Sequence, residues 1–238
     1  MIRMNKVDFS SLSEPEIKTI KKQGNMLRYL NSANAFDIET TSFIDKEGNK
    51  RACMYLFMFC IDGKTFYGRT WVEFQWCLQE LKLRYELNYY KRMIIYVHNL
   101  AYEFQFLINR AQISNVFART KRHPISSLLE DGFEFRCSYF LSGLSLAKTA
   151  EEIQNSNVEK MIGDLDYRLI RHQLTPLTDE ELYYGEIDVV IVYQFISNEI
   201  RKCDGDITKV PLTKTGYVRQ YCRNYIKENT NYKRYRES

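Results

Sequence analysis

The stretch NAFDIETTSF, residues 34–43, places two carboxylates one residue apart in a run that is otherwise mostly apolar or β-branched. Side chains alternate between the two faces of a strand, so Asp37 and Glu39 share one face while Ile38 points to the other. Burial would remove water from both carboxylates, and their like charges repel each other. An arbitrary D-x-E is most often a solvated edge strand or a turn. In a buried strand, a divalent cation between the carboxylates would remove the conflict, and this alternative predicts a metal site.

Length and composition limit what surrounds this strand. With 238 residues, 45% of them hydrophobic and 27% charged, the chain is long enough for one large core and a small appendage. The six cysteines form no C-x-x-C pair and have no histidine nearby, which argues against a zinc site or a disulfide framework. No apolar stretch has membrane-spanning length, and no signal-peptide core is visible at the N-terminus. We therefore expect a cytoplasmic protein (in the host cytoplasm if it is viral) with no membrane partner.

Hydrophobic periodicity predicts a mixed α/β fold. The predicted strands cover 35–40, 51–62, 64–70, 92–100 and several short pieces of 116–140, with turns at Asp62-Gly63 and Asp131-Gly132. The predicted helices cover 14–30, 71–87, 101–111, 144–153, 177–203 and 215–227, and Thr178 and Glu181 form a capping box at the start of the longest one. Three strands, a helix, a strand and then helices fit a ribonuclease-H-like exonuclease sheet flanked by helices, by analogy of fold.

A second group of polar residues follows the predicted strand at 92–100. In VHNLAYEFQFL the strand runs into His98 and Asn99, and the next helix presents Tyr102 and Glu103. The carboxyl ends of strands and the adjoining helix N-termini are where α/β folds place ligands. Taken alone, Glu103 is more often a favourable partner of the helix dipole than a metal ligand.

A third group lies in the long helix, in YYGEIDVV. Tyr184 and Asp188 are four residues apart and share a face of the helix. Because apolar residues surround Asp188, its carboxylate must be paired with a cation, protonated or bound to a metal. The charged stretch KMIGDLDYR, at 160–168, precedes this helix and could also be an ordinary charged loop.

The C-terminal part of the chain is basic and aromatic. From residue 212 onward, the basic residues Lys214, Arg219, Arg223, Lys227, Lys233, Arg234 and Arg236 are opposed by Glu228 and Glu237 and are interleaved with tyrosines. Such segments suit nucleic acid, because cations contact phosphates and aromatic rings stack on bases. A solvated helix face whose long side chains extend into water explains the pattern equally well.

In this order the three groups resemble the three exonuclease motifs of proofreading 3′–5′ exonucleases, which carry four acidic residues and a tyrosine. The closest resemblance is to the exonuclease domain of the protein-primed family B DNA polymerases of bacteriophages. FDIETTS, HNLAYEF and YYGEID are similar to its three motifs, and GDLDY, CSYFLSGLSLAK and VPLTKTGYVR are similar to other stretches of that family. The motif resemblance covers roughly residues 34–203.

The resemblance implies an organisation of the chain. Residues 1–30 are expected to form a partly helical N-terminal extension, residues 31–205 the exonuclease domain, and residues 206–238 the start of a link to a polymerase domain. The polymerase motif Y-x-D-T-D-S does not occur in the sequence, so no polymerase activity is expected from this chain.

The resemblance also implies a two-metal-ion site for Mg²⁺ or Mn²⁺ that hydrolyses single-stranded or frayed DNA 3′ ends. The implied metal ligands are Asp37, Glu39, Glu103 and Asp188. Tyr184 is expected to orient the attacking water, and Lys160 to stand for the family's catalytic lysine. The implied DNA contacts are Thr40, His98, Asn99, Tyr102, Ser138 and Tyr167. Further expected partners are a polymerase domain and a terminal priming protein.

Three positions depart from the family pattern. Glu103 stands where the second motif usually has aspartate, and its longer side chain changes where a metal would be held. Tyr139 follows Ser138 where a serine–leucine pair is usual, and Lys160 lies further from Gly163 than the family spacing.

Two other functions remain open: an RNA 3′–5′ exonuclease of the ribonuclease D or T type, and a catalytically weak module that binds single strands. PLTKTGYVR and GDLDY favour DNA over RNA.

Overall fold

The structure, a computed structural model, describes residues 1–22, 24–153 and 169–229. Within these residues the strands are β1 (Ile2–Arg3), β2 (Ile17–Lys22), β3 (Asn25–Leu30), β4 (Asn34–Ile44), β5 (Lys50–Ile61), β6 (Lys64–Gly68), β7 (Lys91–Val97), β8 (Ile113–Thr120), β9 (His123–Leu129) and β10 (Phe133–Cys137). The helices are α1 (Trp71–Tyr85), α2 (Leu100–Leu107), α3 (Ser138–Ser142), α4 (Leu146–Glu152), α5 (Asp179–Lys202) and α6 (Lys214–Asn229). The predicted mixed α/β class is confirmed.

The strands form one mixed sheet in the order β1-β6-β5-β4-β7-β10-β9-β8. β4, β5 and β6 are antiparallel neighbours, whereas β7 runs parallel to β4 and β10 parallel to β7. The strand that carries Asp37 and Glu39 is therefore internal, with β5 on one side and β7 on the other. This position excludes the solvated-edge interpretation of the D-x-E motif.

Two apolar clusters cover the two faces of the sheet. Phe36 and Ile38 of β4 belong to the cluster that includes Phe74 and Leu81 of α1. Ala35 belongs to the cluster on the other face, which is formed largely by α5. Because Asp37 and Glu39 alternate with Phe36 and Ile38, both carboxylates lie on the α5 face.

Local sequence signals explain most of the elements. α1 and α5 each begin with a complete capping box, Thr70 with Glu73 and Thr178 with Glu181. The β5–β6 hairpin turns at Asp62-Gly63, where φ is 54° and 71°, and the left-handed conformation at both positions matches the turn type that suits strand twist. The capping box of α5, the turn at Asp62-Gly63 and the strand β7 followed by α2 confirm predictions, whereas the capping box of α1 was not predicted.

The helix predicted over 14–30 is wrong, because this segment forms the hairpin β2–β3. Residues 27–29 alternate: Leu27 and Tyr29 are buried, and Arg28 between them is exposed. β3 then pairs with the start of β7, which supplies backbone partners that an isolated helix would not have. The boundaries of the three predicted parts of the chain remain a prediction.

Among the described residues, no helix combines the length and the hydropathy that crossing a membrane requires.

Candidate active site

The centre of the site is an acidic cluster on β4 and α5. Oxygens from the carboxylates of Asp37, Glu39 and Asp188 all lie within 4.8 Å of one another, and each of these residues is half-buried. Like charges at this separation repel, and partial burial reduces the screening by water. Carboxylate oxygens are hard ligands that suit Mg²⁺ and Mn²⁺. The structure therefore brings together three of the four acids that the motifs predicted.

A glycine brings the helix this close to the sheet. Gly185 is buried in α5, and a Cβ atom built there would lie 2.9 Å from both the sulfur and the methyl carbon of Met58 on β5. Asp188 follows Gly185 by three residues and so lies nearly one turn along the helix. A larger residue at 185 would require the end of the Met58 side chain or this part of α5 to move, and a movement of the helix would also move Asp188. Sequence reasoning missed this role, although the glycine in YYGEID was a visible signal.

The fourth acid, Glu103, lies beside the cluster. α2 begins after Asn99, whose φ of 65° turns the chain from the end of β7 into the helix. The Glu103 side chain points inward from the first turn of α2 and is 4% exposed. Its carboxyl group hydrogen-bonds with that of Asp37. The longer glutamate side chain therefore still reaches the position at which the family usually has aspartate.

The surroundings of Glu103 disfavour the ionised form of its carboxyl group. Burial raises its pKa to about 8, the nearby charge of Glu39 acts in the same direction, and hydrogen bonds with its own backbone N–H and with Asp37 offset these effects in part. Its second oxygen, Oε2, is buried and has no hydrogen-bond partner among the residues that the structure describes. Two carboxyl groups in contact must share a proton, and a divalent cation would replace that proton.

Tyr184 precedes Asp188 by four residues on α5, so the two side chains emerge on the same side of the helix. Tyr184 is half-buried, whereas its neighbour Tyr183 is 54% exposed. The phenol of Tyr184 and the acidic cluster therefore both belong to the side of α5 that packs on the sheet.

The predicted DNA-contacting residues divide into two groups. In the first, the hydroxyl groups of Thr40 on β4 and Tyr102 on α2 hydrogen-bond with each other. Thr40 follows a register shift in the β4–β5 ladder, and such bulges change the direction of side chains at sheet ends. The ring of Tyr102 is 41% exposed and lies 5.5 Å from that of Phe106, centroid to centroid.

The second group lies at the ends of β7 and β10. The Nδ1 atom of His98 is 3.1 Å from the Oγ atom of Ser138, whose side chain is buried. Ser138 therefore holds His98 rather than facing solvent. Tyr139, which follows it, is 44% exposed and packs edge-on against the His98 ring at 5.9 Å. Asn99 is exposed. Lys160 and Tyr167 lie outside the described residues.

Two arginines, which sequence reasoning missed, fasten the segment before α5 to the sheet. Arg171 is buried and forms an ion pair of 2.6 Å with Glu181, in the first turn of α5. Its backbone N–H donates to the Thr41 hydroxyl on β4. The guanidinium of Arg69 donates to the carbonyl oxygens of His172 and Thr175 at 2.9 and 2.8 Å. No motif marked these residues, because their partners are distant in sequence.

The fold is similar to that of solved DNA polymerases. An orthorhombic crystal form of Phi29 DNA polymerase matches with a TM-score of 0.59 and 16% sequence identity, over 84% of this chain and 35% of that chain. Phi29 DNA polymerase complexed with single-stranded DNA matches with a TM-score of 0.58 and 16% identity, over 76% of this chain and 33% of that one. The ternary complex with primer-template DNA and incoming nucleotide matches with a TM-score of 0.56 and 16% identity, over 71% and 31%.

This chain spans about a third of the length of those polymerases. The predicted mixed sheet flanked by helices and the predicted resemblance to a DNA polymerase of this kind are confirmed as a likeness of fold. No protein-family model and no curated protein sequence matches the chain.

Proposed function

We propose that this protein is a two-metal-ion 3′–5′ exonuclease that hydrolyses single-stranded or frayed DNA 3′ ends. The observation that carries the proposal is the convergence of Asp37, Glu39 and Asp188 within 4.8 Å, with Glu103 against Asp37. The four acids come from β4, α2 and α5, which are separated in sequence. Such a concentration of negative charge on an internal strand destabilises the fold unless a cation neutralises it.

The donor set fits two hard divalent cations. Asp37 has a carboxylate oxygen within 4.8 Å of those of Glu39 and Asp188, and its carboxyl group also hydrogen-bonds with Glu103, so Asp37 would contribute to both ions. Glu39 and Asp188 would be ligands of one ion, and Glu103 would be a ligand of the other. When bound, Mg²⁺ or Mn²⁺ would supply an activated water and would stabilise the negative charge on the leaving 3′ oxygen.

The remaining residues of the site position the reactants. Tyr184, four residues before Asp188, would hydrogen-bond the attacking water and orient it toward the phosphorus atom. Thr40 and Tyr102 would contact the terminal nucleotide, because their hydroxyl groups meet next to Glu39 and the Tyr102 ring is accessible for stacking. Stacking of this kind contributes about 1–3 kcal/mol per base. Asn99 and the His98–Ser138 pair would border the same nucleotide from the ends of β7 and β10.

The similarity to Phi29 DNA polymerase supports DNA as the substrate. Structures of that polymerase contain single-stranded DNA or primer-template DNA. We propose that this chain likewise works with a polymerase domain and a terminal priming protein, and that it removes nucleotides from unpaired primer ends. The predicted roles of Lys160 and Tyr167 are part of this proposal.

The test is degradation of a 5′-labelled DNA oligonucleotide with an unpaired 3′ end, in Mg²⁺, Mn²⁺ or EDTA. The matched control is the isosteric variant Asp37→Asn, Glu39→Gln, which keeps the shape of the site and removes two charges. We expect a ladder of products shortened from the 3′ end, dependent on metal and absent in the variant. A parallel RNA strand tests the sugar preference, and faster cleavage of RNA would assign the protein to the RNA exonucleases. An oligonucleotide that stays intact under every condition would refute the proposed nuclease activity.

A further inference from the structure

A second surface at the same edge of the sheet carries unneutralised positive charge. Strands β8 and β9 form a hairpin whose ends meet at Thr120 and His123. Its tip presents Arg119, Lys121 and Arg122, all exposed. Within the described part of the chain none of these three residues has an ion pair, and residues 104–129 contain no aspartate or glutamate. The three side chains therefore form a patch of exposed positive charge at the hairpin tip.

The register of the strands places the hairpin tip at the edge of the candidate active site. Cys137 of β10 lies beside Val97 of β7, so both strands end where His98 and Ser138 begin. β9 is antiparallel to β10, with Ser126 beside Arg136. Residues before Ser126 therefore extend past the same edge, and the tip lies beyond the position of Ser138.

The turn of the hairpin has residues that are unusual for its backbone conformation. Arg122 has φ of 68°, in the left-handed region that favours glycine or asparagine. Two-residue hairpin loops usually satisfy this requirement with Asn-Gly or Asp-Gly. Here Lys121 and Arg122 occupy the loop instead. The loop therefore keeps two cations at the tip although Arg122 adopts a conformation that favours glycine.

We propose that the tip of the β8–β9 hairpin (Arg119, Lys121 and Arg122) binds the sugar–phosphate backbone of the DNA strand whose 3′ end occupies the acidic cluster. This inference rests on the proposed function for the direction of the strand, but binding itself does not require cleavage. From β4 to β9 and β8 there are three and four strand spacings, about 14 and 19 Å at roughly 4.8 Å each. For a strand that keeps the stacked spacing of about 3.4 Å per nucleotide, the tip would contact phosphates roughly four to six nucleotides from the 3′ end.

The contact predicts a dependence on strand length and on salt. Each phosphate neutralised by a cation contributes a slope of about −0.7 to a plot of log affinity against log salt for single strands. Replacing three cations should make the slope shallower by about 2 and weaken binding of a twelve-nucleotide strand by about tenfold at low salt. A three-nucleotide strand does not reach the tip, so its affinity should not change.

The experiment measures fluorescence anisotropy of labelled dT12 and dT3 in EDTA, where no cleavage occurs, over a series of NaCl concentrations. The hairpin variant is Arg119→Gln, Lys121→Gln, Arg122→Gly, in which glycine also suits the left-handed position. Its control is Lys21→Gln, Arg28→Gln, Arg201→Gln, which removes equal charge from exposed positions of the β2–β3 hairpin and of the last turn of α5. β3 pairs with the start of β7, so that hairpin extends away from the site.

A shallower slope and weaker dT12 binding in the hairpin variant, with the control variant like the wild type, supports the inference. Equal dT12 binding by wild type and hairpin variant overturns it, as does an equal loss in the control variant, which would indicate a general charge effect. The double variant Arg119→Gln, Lys121→Gln serves if the triple variant is unfolded by circular dichroism. If the hairpin variant binds dT12 more weakly but the wild type cleaves no oligonucleotide with any metal, the proposed nuclease activity is rejected and the proposed DNA-binding surface is retained.

Discussion

Gly185 of α5 faces Met58 of β5 so closely that one added methyl group would lie 2.9 Å from the sulfur of that methionine. Met58 is opposite Asp37 in the β4–β5 ladder. The close contact between helix and sheet therefore lies next to Asp37 on the strand and one turn from Asp188 on the helix. Packing and chemistry are coupled at this crossing, and the coupling can be measured.

Gly185→Val should destabilise the protein by about 1–3 kcal/mol, because extra atoms would be forced into a filled core. Nuclease activity should fall further than this loss of stability explains, because Asp188 moves with the helix. Urea unfolding and cleavage of a labelled oligonucleotide measure the two effects. In a double-mutant cycle with Met58→Ala, the smaller side chain should accommodate valine, and the coupling should be favourable by about 0.5–3 kcal/mol. Strict additivity of the two substitutions would contradict the steric explanation.

Glu103→Gln should weaken metal binding without changing the size of the side chain. Wild-type protein should be stabilised by Mn²⁺, since a ligand that binds the folded state raises Tm. Loss of an outer-shell partner typically costs about 10–100-fold in metal affinity, and loss of a carboxylate ligand should cost at least as much, so the variant should need correspondingly more Mn²⁺ for the same rise in Tm. Glu130→Gln, at an exposed position, is the control. An unchanged Mn²⁺ dependence in Glu103→Gln would show that Glu103 is a spectator.

Tyr184→Phe should separate catalysis from metal binding. The substitution removes the hydroxyl group to which we assign the orientation of the attacking water, so kcat should fall by about a hundredfold or more while the Mn²⁺-dependent rise in Tm is retained. Tyr183→Phe is a matched control because the neighbouring tyrosine is 54% exposed. Comparable losses in both variants would indicate an effect on the helix instead of on the attacking water.

Glu134 should make stability depend on acid pH. It is buried on β10 between Arg136 and Arg92, at 2.7 and 3.3 Å. Burial alone would raise its pKa, but the two guanidinium groups outweigh burial and hold the pKa below its ordinary value. The unfolded-state pKa is about 4.3, so the stabilisation is fully present above that pH and is lost as the pH falls through the lower folded-state pKa.

Glu134→Gln should therefore cost about 3–5 kcal/mol at pH 7, because two buried arginines lose their counter-charge. The difference from wild type should narrow as the pH falls below about 4. Urea unfolding at several pH values measures both effects. Glu14→Gln, which removes an exposed partner of Arg84, should change stability by less than about 1 kcal/mol. If the difference in unfolding free energy between wild type and Glu134→Gln stayed constant with pH, the charge of Glu134 would not be the cause of the stabilisation.

Particular residues show which features of the structure could be predicted from the sequence. The shared face of Asp37 and Glu39 follows from the two-residue period of a strand, and that of Tyr184 and Asp188 from the period of a helix. The capping box at Thr178 and the turn at Asp62-Gly63 depend on neighbours in sequence, so they too were predictable. The β2–β3 hairpin was missed because its pairing with β7 involves residues about 60 positions away, which no local pattern records.

By itself, then, the sequence determined the mixed α/β class, the position of most elements and the faces on which the acids lie, because these properties arise from interactions between near neighbours along the chain. Tertiary structure decided that β4 is internal, that Glu103 reaches Asp37, and that Gly185 brings Asp188 within 4.8 Å of the strand. It also placed the β8–β9 tip at the edge of the site. These relations depend on strand order, register and the fit of side chains between layers, and they exist once the whole core is packed.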